Sequence, residues 1–244
     1  MKQITFLLFL LGTFNGVAQV NLDSLWNIWN DEAQSDNNRI EAMDDICWKG
    51  YLFSQPDSGF YFAQLLIDFA KENGQKKHVA NGFNMQGVSF SIQGEYGKSV
   101  EYFTKSLKLS KEIGDKSGIT KALNNIGLIY KRQSNYDKAI EYYTRSLKLS
   151  EELKDKSLIA SSLNNLGVIY TKQGLDDKAI DYYMRSLKLS EELGDKSVIG
   201  ASLNNIGMIY KRQGNDDKAI DYYMRSLKIS KEIGDKQGVS TSLD

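Results

Sequence analysis

The chain has 244 residues, 41% of them apolar and 25% charged, ordinary values for a folded domain. Its 31 basic residues balance 31 acidic ones, so no basic excess points to nucleic acid. The lone cysteine, Cys47, excludes a disulfide framework, and the lone proline suits uninterrupted helices.

Lys2 precedes the apolar run Ile4 to Leu11, and Gly16-Val17-Ala18-Gln19 comes next, with small residues before a cleavage point. That order predicts a signal peptide over 1–18, with an uncleaved anchor as the rival. The run falls short of the roughly 20 residues a bilayer demands, and no later segment is apolar enough to span one. Export to a periplasmic or secreted location is the expectation.

Leu22 to Trp29 has the spacing of a short amphipathic helix, within a capping element over 19–39. Residues 40–79 form a divergent repeat, with Met43, Ile46, Cys47 and Phe62 in register. Cys47 stands 40 residues before Gly87, so it is read as a small residue in a tight helix crossing. The three tryptophans, Trp26, Trp29 and Trp48, are expected to seal this end.

From there the chain repeats, with units at 80–119, 120–159, 160–199 and 200–239. Asn124-Asn125-Ile126-Gly127-Leu128-Ile129-Tyr130 returns as Asn164 to Tyr170 and as Asn204 to Tyr210. Residues 160–199 and 200–239 agree at 27 of 40 positions. Each unit reads as two helices. Near 118–132, Ile119, Ala122, Leu123, Ile126 and Ile129 share a face; near 136–153, Ala139, Ile140, Tyr143 and Leu147 do. Acids at the start of the second helix suit its dipole, and Glu141–Arg145, Asp181–Arg185 and Asp221–Arg225 are favourable i,i+4 pairs. Gly114, Gly194 and Gly234 end the second helices, and Asp115, Asp195 and Asp235 can cap the next first helix. Lys154 interrupts that glycine column and predicts local strain. Residues 240–244 read as the start of a further, truncated repeat, so the chain is expected to be part of a longer one, able to self-associate through an uncapped end.

These residues resemble the tetratricopeptide repeat. Leu123, Ile126, Gly127, Tyr130, Ala139, Tyr143 and Leu147 match its signature, with equivalents in each unit. The resemblance implies an all-α fold, a right-handed α-solenoid of antiparallel helix pairs forming a tetratricopeptide-repeat superhelix. The 40-residue period departs from the family's usual 34 and is similar to its long-helix variety. Serine replaces the usual late alanine at Ser146, Ser186 and Ser226. An exported array of this kind also looks like the N-terminal sensor half of bacterial signalling proteins.

No catalytic constellation is present. His78 is the sole histidine, no Gly-rich phosphate loop occurs, and no metal or cofactor site is expected. The reading is therefore a non-enzymatic protein-interaction module. The first-helix windows 77–93, 117–133, 157–173 and 197–213 contain no acid. In tetratricopeptide arrays first helices line the concave groove, which this resemblance lines with Asn84, Asn124, Asn164 and Asn204 and with Lys121, Lys131, Arg132, Lys172, Lys211 and Arg212. Those asparagines match a family position that holds a bound peptide. The competing reading for them is bonding between neighbouring helices. A protein or peptide partner, acidic or a chain terminus, is the expected ligand; the alternative is a self-associating structural array.

Overall fold

A computed structural model describes residues 21–235; the signal-peptide segment 1–18 and the truncated repeat 240–244 lie outside them. Among the described residues there are eleven α-helices and no strand. Helix α1 spans Leu22–Asn30. Helix α2, Asp36–Asp45, runs directly into a π-helical turn, Ile46–Tyr51, and α3 spans Pro56–Glu72. Four long pairs come next: α4 (Lys76–Ile92) with α5 (Tyr96–Glu112), α6 (Lys116–Arg132) with α7 (Tyr136–Leu153), α8 (Lys156–Lys172) with α9 (Asp176–Leu193), and α10 (Lys196–Arg212) with α11 (Asp216–Ile233). Each helix packs on the next in sequence, forming an α-solenoid of antiparallel pairs.

The lengths of the elements account for the period. Helix α8 has 17 residues and α9 has 18; the turns Gln173–Leu175 and Gly194-Asp195 bring the unit to 40. At about 1.5 Å per residue these helices are roughly 26 Å long.

One contact recurs inside every pair. A Cβ added at Gly87 would stand 2.6 Å from the Phe103 ring, at Gly127 2.8 Å from Tyr143, at Gly167 2.6 Å from Tyr183, and at Gly207 2.9 Å from Tyr223. Only a bare Cα lets the first helix come down onto the aromatic ring of the second. Tyr143 and Tyr183 are fully buried there. The serines at the family's alanine position reinforce the crossing: Ser186 Oγ donates to Ala160 O at 2.8 Å and Ser226 Oγ to Gly200 O at 2.9 Å. A hydroxyl that replaces a methyl thus gains a backbone carbonyl, which accounts for the departure.

The helix ends obey their local chemistry. Gly194 ends α9 at φ +69°, with its N–H donating to Glu191 O and Asp195 N–H to Ser190 O. Lys154 is forced into the same left-handed geometry at φ +55°, the strain its column predicts. Asp195 caps α10 through Val198 N–H, but Asp115 makes no such bond to α6.

At the N-terminal end, Trp26 stands edge-on to Phe62 at 5.3 Å and Trp29 to Phe69 at 5.1 Å, while Arg39 covers Phe69 and donates to Trp29 O. Those two tryptophans seal the end. Trp48 does not: it lies on the π-helical turn, 38% exposed, with its ring edge-on to Phe53. Cys47 is buried at the crossing with its Sγ 3.2 Å from Gly59 O, and burial pushes its thiol up to about 12. It is a packing residue.

Gly167→Leu is expected to cost about 1–3 kcal/mol of stability, the range for overpacking a tight site. Thermal and urea melts measure it, and a silent substitution would disprove the tight crossing.

Candidate binding groove

First helices of successive pairs touch one another, α4 with α6, α6 with α8 and α8 with α10, and the second helices make no comparable contact. The first helices therefore form the inner wall of the stack. Their exposed sides repeat every 40 residues, so four lengthwise rows run across the helices. One row is Glu41, Asn81, Lys121, Ser161 and Ala201, and the next is Asp44, Asn84, Asn124, Asn164 and Asn204. An apolar row stands beside them, Trp48, Val88, Leu128, Val168 and Met208; Met208 is 46% exposed. The last contains Lys131, Thr171 and Lys211, of which Thr171 is buried against the second helix of its pair.

The asparagine row partly ties the units together. Asn84 is buried, and its Oδ1 accepts from Asn125 Nδ2 at 2.8 Å. Asn124 Nδ2 donates to Ser162 Oγ and Asn164 Oδ1 accepts from Ser202 Oγ, both at 3.4 Å. The 38-residue offset is the same in these last two bonds, one unit minus half a turn. Asn124 Oδ1 and Asn204 Oδ1 are shielded from solvent without a partner among the described residues. The carboxamides are thus structural at one end, as the competing reading holds, and Asn84 and Asn124 also line a cavity.

The bases divide into two groups. Arg132 and Arg212, placed beside a ligand by the sequence pattern, reach back to the preceding unit instead. Arg132 Nη1 donates to Ser91 O at 3.0 Å, and Arg212 is ion-paired with Asp176. The cause is position: each sits in the last turn of its first helix, beside the final carbonyls of α4 or the acid opening α9. Lys121 and Lys172 are exposed on the inner helices, as is Lys211. Lys131 is half-buried, with no carboxylate in salt-bridge range among the described residues. Burial, then Arg132, then Lys172 pull its pKa down. Its charged form therefore weakens the fold, and that penalty fades as pH rises through the lowered folded-state value.

Two cavities open on this wall. One of about 370 Å³ is bounded by Glu41, Asp44, His78, Asp115 and Lys121; the other, about 430 Å³, has Trp48, Met85, Asn84, Asn124 and Leu158. They share Asp44, Asn81, Asn84 and Lys121. Burial raises the Asp44 pKa, opposed by a hydrogen bond from Asn81 and by the charges of His78 and Lys121.

The acids of α2 and the exposed Trp48 alter the picture drawn from the sequence. The groove gains carboxylates at its N-terminal end, set among Asn81, Asn84, Lys77 and Lys121, while the later first helices carry amides and bases without acids. Asp44 stands in the asparagine column one unit before Asn84, so the faint register of 40–79 contains the signal. Among the described residues, no group of three or more His, Cys, Asp or Glu is placed to hold a metal ion, and no helix is long and apolar enough to cross a membrane.

A family profile described as tetratricopeptide repeat matches residues 78–152 and 158–232. The chain belongs to the tetratricopeptide-repeat family. A search of curated proteins found no match. Among solved structures, BtubC (BKLC) from P. vanneervenii superposes with a TM-score of 0.70 at 20% identity, over 90% of this chain and 94% of that one. Aspartyl phosphate phosphatase F from Bacillus subtilis gives 0.71 at 18% identity, over 85% of this chain and 54% of that one. A Rap protein complexed with competence and sporulation factor gives 0.75 at 15%, over 90% and 61%. This chain thus covers only part of the length of the latter two proteins, and at these identities the likeness is one of fold.

Position 131 also offers a test of packing. Its equivalent, Thr171, hydrogen-bonds the buried Tyr183 hydroxyl at 3.2 Å, whereas the Tyr143 hydroxyl is buried with no partner among the described residues. Lys131→Thr is expected to supply that partner and remove a desolvated ammonium, raising stability by about 1 kcal/mol. Urea melts check this; a loss of stability would contradict the assignment.

Proposed function

We propose that the chain is a non-catalytic module that binds an extended peptide along its inner wall, as the sensor part of an exported signalling protein. The observation that carries this reading is the pair of adjoining cavities that share Asp44 and Asn84, the second reaching Asn124 with Trp48 on its apolar side. Carboxamides can grip a peptide bond through a donor and an acceptor without regard to side chain, and the apolar row supplies contact area. The similar Rap protein was solved with competence and sporulation factor bound, which lends this reading support by analogy of fold. Lys131 fits the same picture: a half-buried ammonium without a carboxylate in range is costly to the free fold and available to an acidic group of a ligand. Export and the sensor role rest on the N-terminal pattern and on the family resemblance.

Two measurements test this reading. A capped octapeptide library screened against the full chain by fluorescence polarisation is expected to yield binders. Asn124→Ala should weaken them by about 0.5–1.5 kcal/mol, the net worth of a hydrogen bond. Arg185→Glu, on the exposed second-helix face, should leave them unchanged. Binding lost in the Arg185 variant and kept in the Asn124 variant would move the site to the outer face. Separately, exported material is expected to begin at Gln19 by mass spectrometry. A mature chain still carrying Met1 would replace export by anchoring.

A further inference from the structure

Gly118 lines the smaller cavity. The equivalent positions in the next two units carry side chains, Leu158 and Val198. At Gly118 an added Cβ would stand 2.5 Å from Ser110 Oγ and 2.6 Å from Asp115 Oδ2, so the bare Cα lies directly against both groups. Ser110 is fully buried, and its hydroxyl has no hydrogen-bond partner among the described residues although it lines the cavity. Of its counterparts, Ser150 donates to Ser146 O at 2.9 Å, whereas the Ser190 hydroxyl is likewise buried with no partner among the described residues.

The charge around this hollow is negative. Glu41, Asp44, Asp45 and Asp115 oppose Lys77 and Lys121, four carboxylates against two ammoniums, with the His78 imidazole also on the lining. Asp45 is paired with Lys49 at 2.7 Å, but Glu41, Asp44 and Asp115 form no salt bridge among the described residues. Three carboxylates without an ion-paired cation, the half-buried Asp44 among them, line the cavity together with an unsatisfied buried hydroxyl. A guanidinium or ammonium answers all of these at once: it donates to the carboxylates and to the Ser110 oxygen, and its charge offsets theirs. The adjoining cavity presents Trp48, apolar surface for the aliphatic stem of such a side chain.

We propose that this cavity seats the cationic side chain of an arginine or lysine in the peptide that lies along the groove. The inference rests on the proposed groove function and adds the ligand's chemistry: a base at the end over α2 and α4. It departs from the expectation of an acidic ligand or a chain terminus, because Asp44 of α2 stands where the later units carry amides.

The test compares two capped octapeptides of alanine and serine with the full chain by fluorescence polarisation. One carries a central arginine and the other citrulline, which keeps the shape and drops the charge. Arginine is expected to bind about tenfold tighter or more, as hydrogen bonds to charged groups do. Asp44→Asn and Gly118→Leu, the latter copying Leu158, should each erase the difference while far-ultraviolet circular dichroism confirms an intact helical fold. Asn124→Ala should weaken both peptides alike. Equal binding of the two peptides, still sensitive to Asn124→Ala, would overturn the cation pocket and leave the groove standing. Binding of neither peptide would overturn both. Arginine amide alone binding as tightly as the arginine peptide would replace the peptide side chain by a free small cation and overturn the proposal.

Discussion

Everything else in this molecule hangs on the contact of an aromatic ring with a bare Cα. Gly87, Gly127, Gly167 and Gly207 each receive the ring sixteen residues on, at distances that leave no room for a methyl group. That approach fixes how closely and at what angle the two helices of a pair cross. Because the same crossing recurs every 40 residues, the pairs stack with a constant offset, and equivalent side chains line up in rows. The serine-to-carbonyl bonds and the asparagine–serine bonds across units then lock an arrangement that the glycine has permitted. A binding wall made of repeated rows is a consequence of this one steric allowance.

Much of this is written plainly in the sequence. The glycine and tyrosine columns, the helical spacing of Leu123, Ile126 and Ile129, and the glycines after the second helices are local signals that repetition amplifies. What the sequence conceals is direction. Arg132 and Arg212 look like groove bases, but long side chains in a last helical turn reach the neighbouring unit as readily as a ligand. Trp48 shares its segment with Trp26 and Trp29, and only the π-helical turn at Ile46–Tyr51 and the packing of α2 settle which rings are covered. The acids of α2 are visible in the sequence, but the weak register of 40–79 hides their alignment with Asn84 and Asn124. The hollow at Gly118 is harder still. A glycine within a helix reads as a neutral residue until the neighbouring Ser110 and Asp115 are seen in space.

The resulting wall is polarised along its length. Carboxylates from α2 gather at one end, carboxamides and an apolar row occupy the middle, and Lys131 and Lys172 lie further on. A stack of identical units would offer the same contact everywhere and bind a peptide in any register. The divergence of the first unit removes that degeneracy, since a base can satisfy only the end that bears Asp44. The cost is uneven stability, visible in the desolvated Lys131 and in the buried Tyr143 and Ser110 hydroxyls that find no partner among the described residues.

The central claim is that ligands lie on the first helices. Photo-crosslinking measures this directly, using the capped octapeptide pool with a benzophenone residue and mapping adducts on the full chain by mass spectrometry. The account predicts adducts on α2, α4, α6 and α8, concentrated around Trp48, Asn84 and Asn124. Adducts confined to α5, α7 and α9 would contradict it.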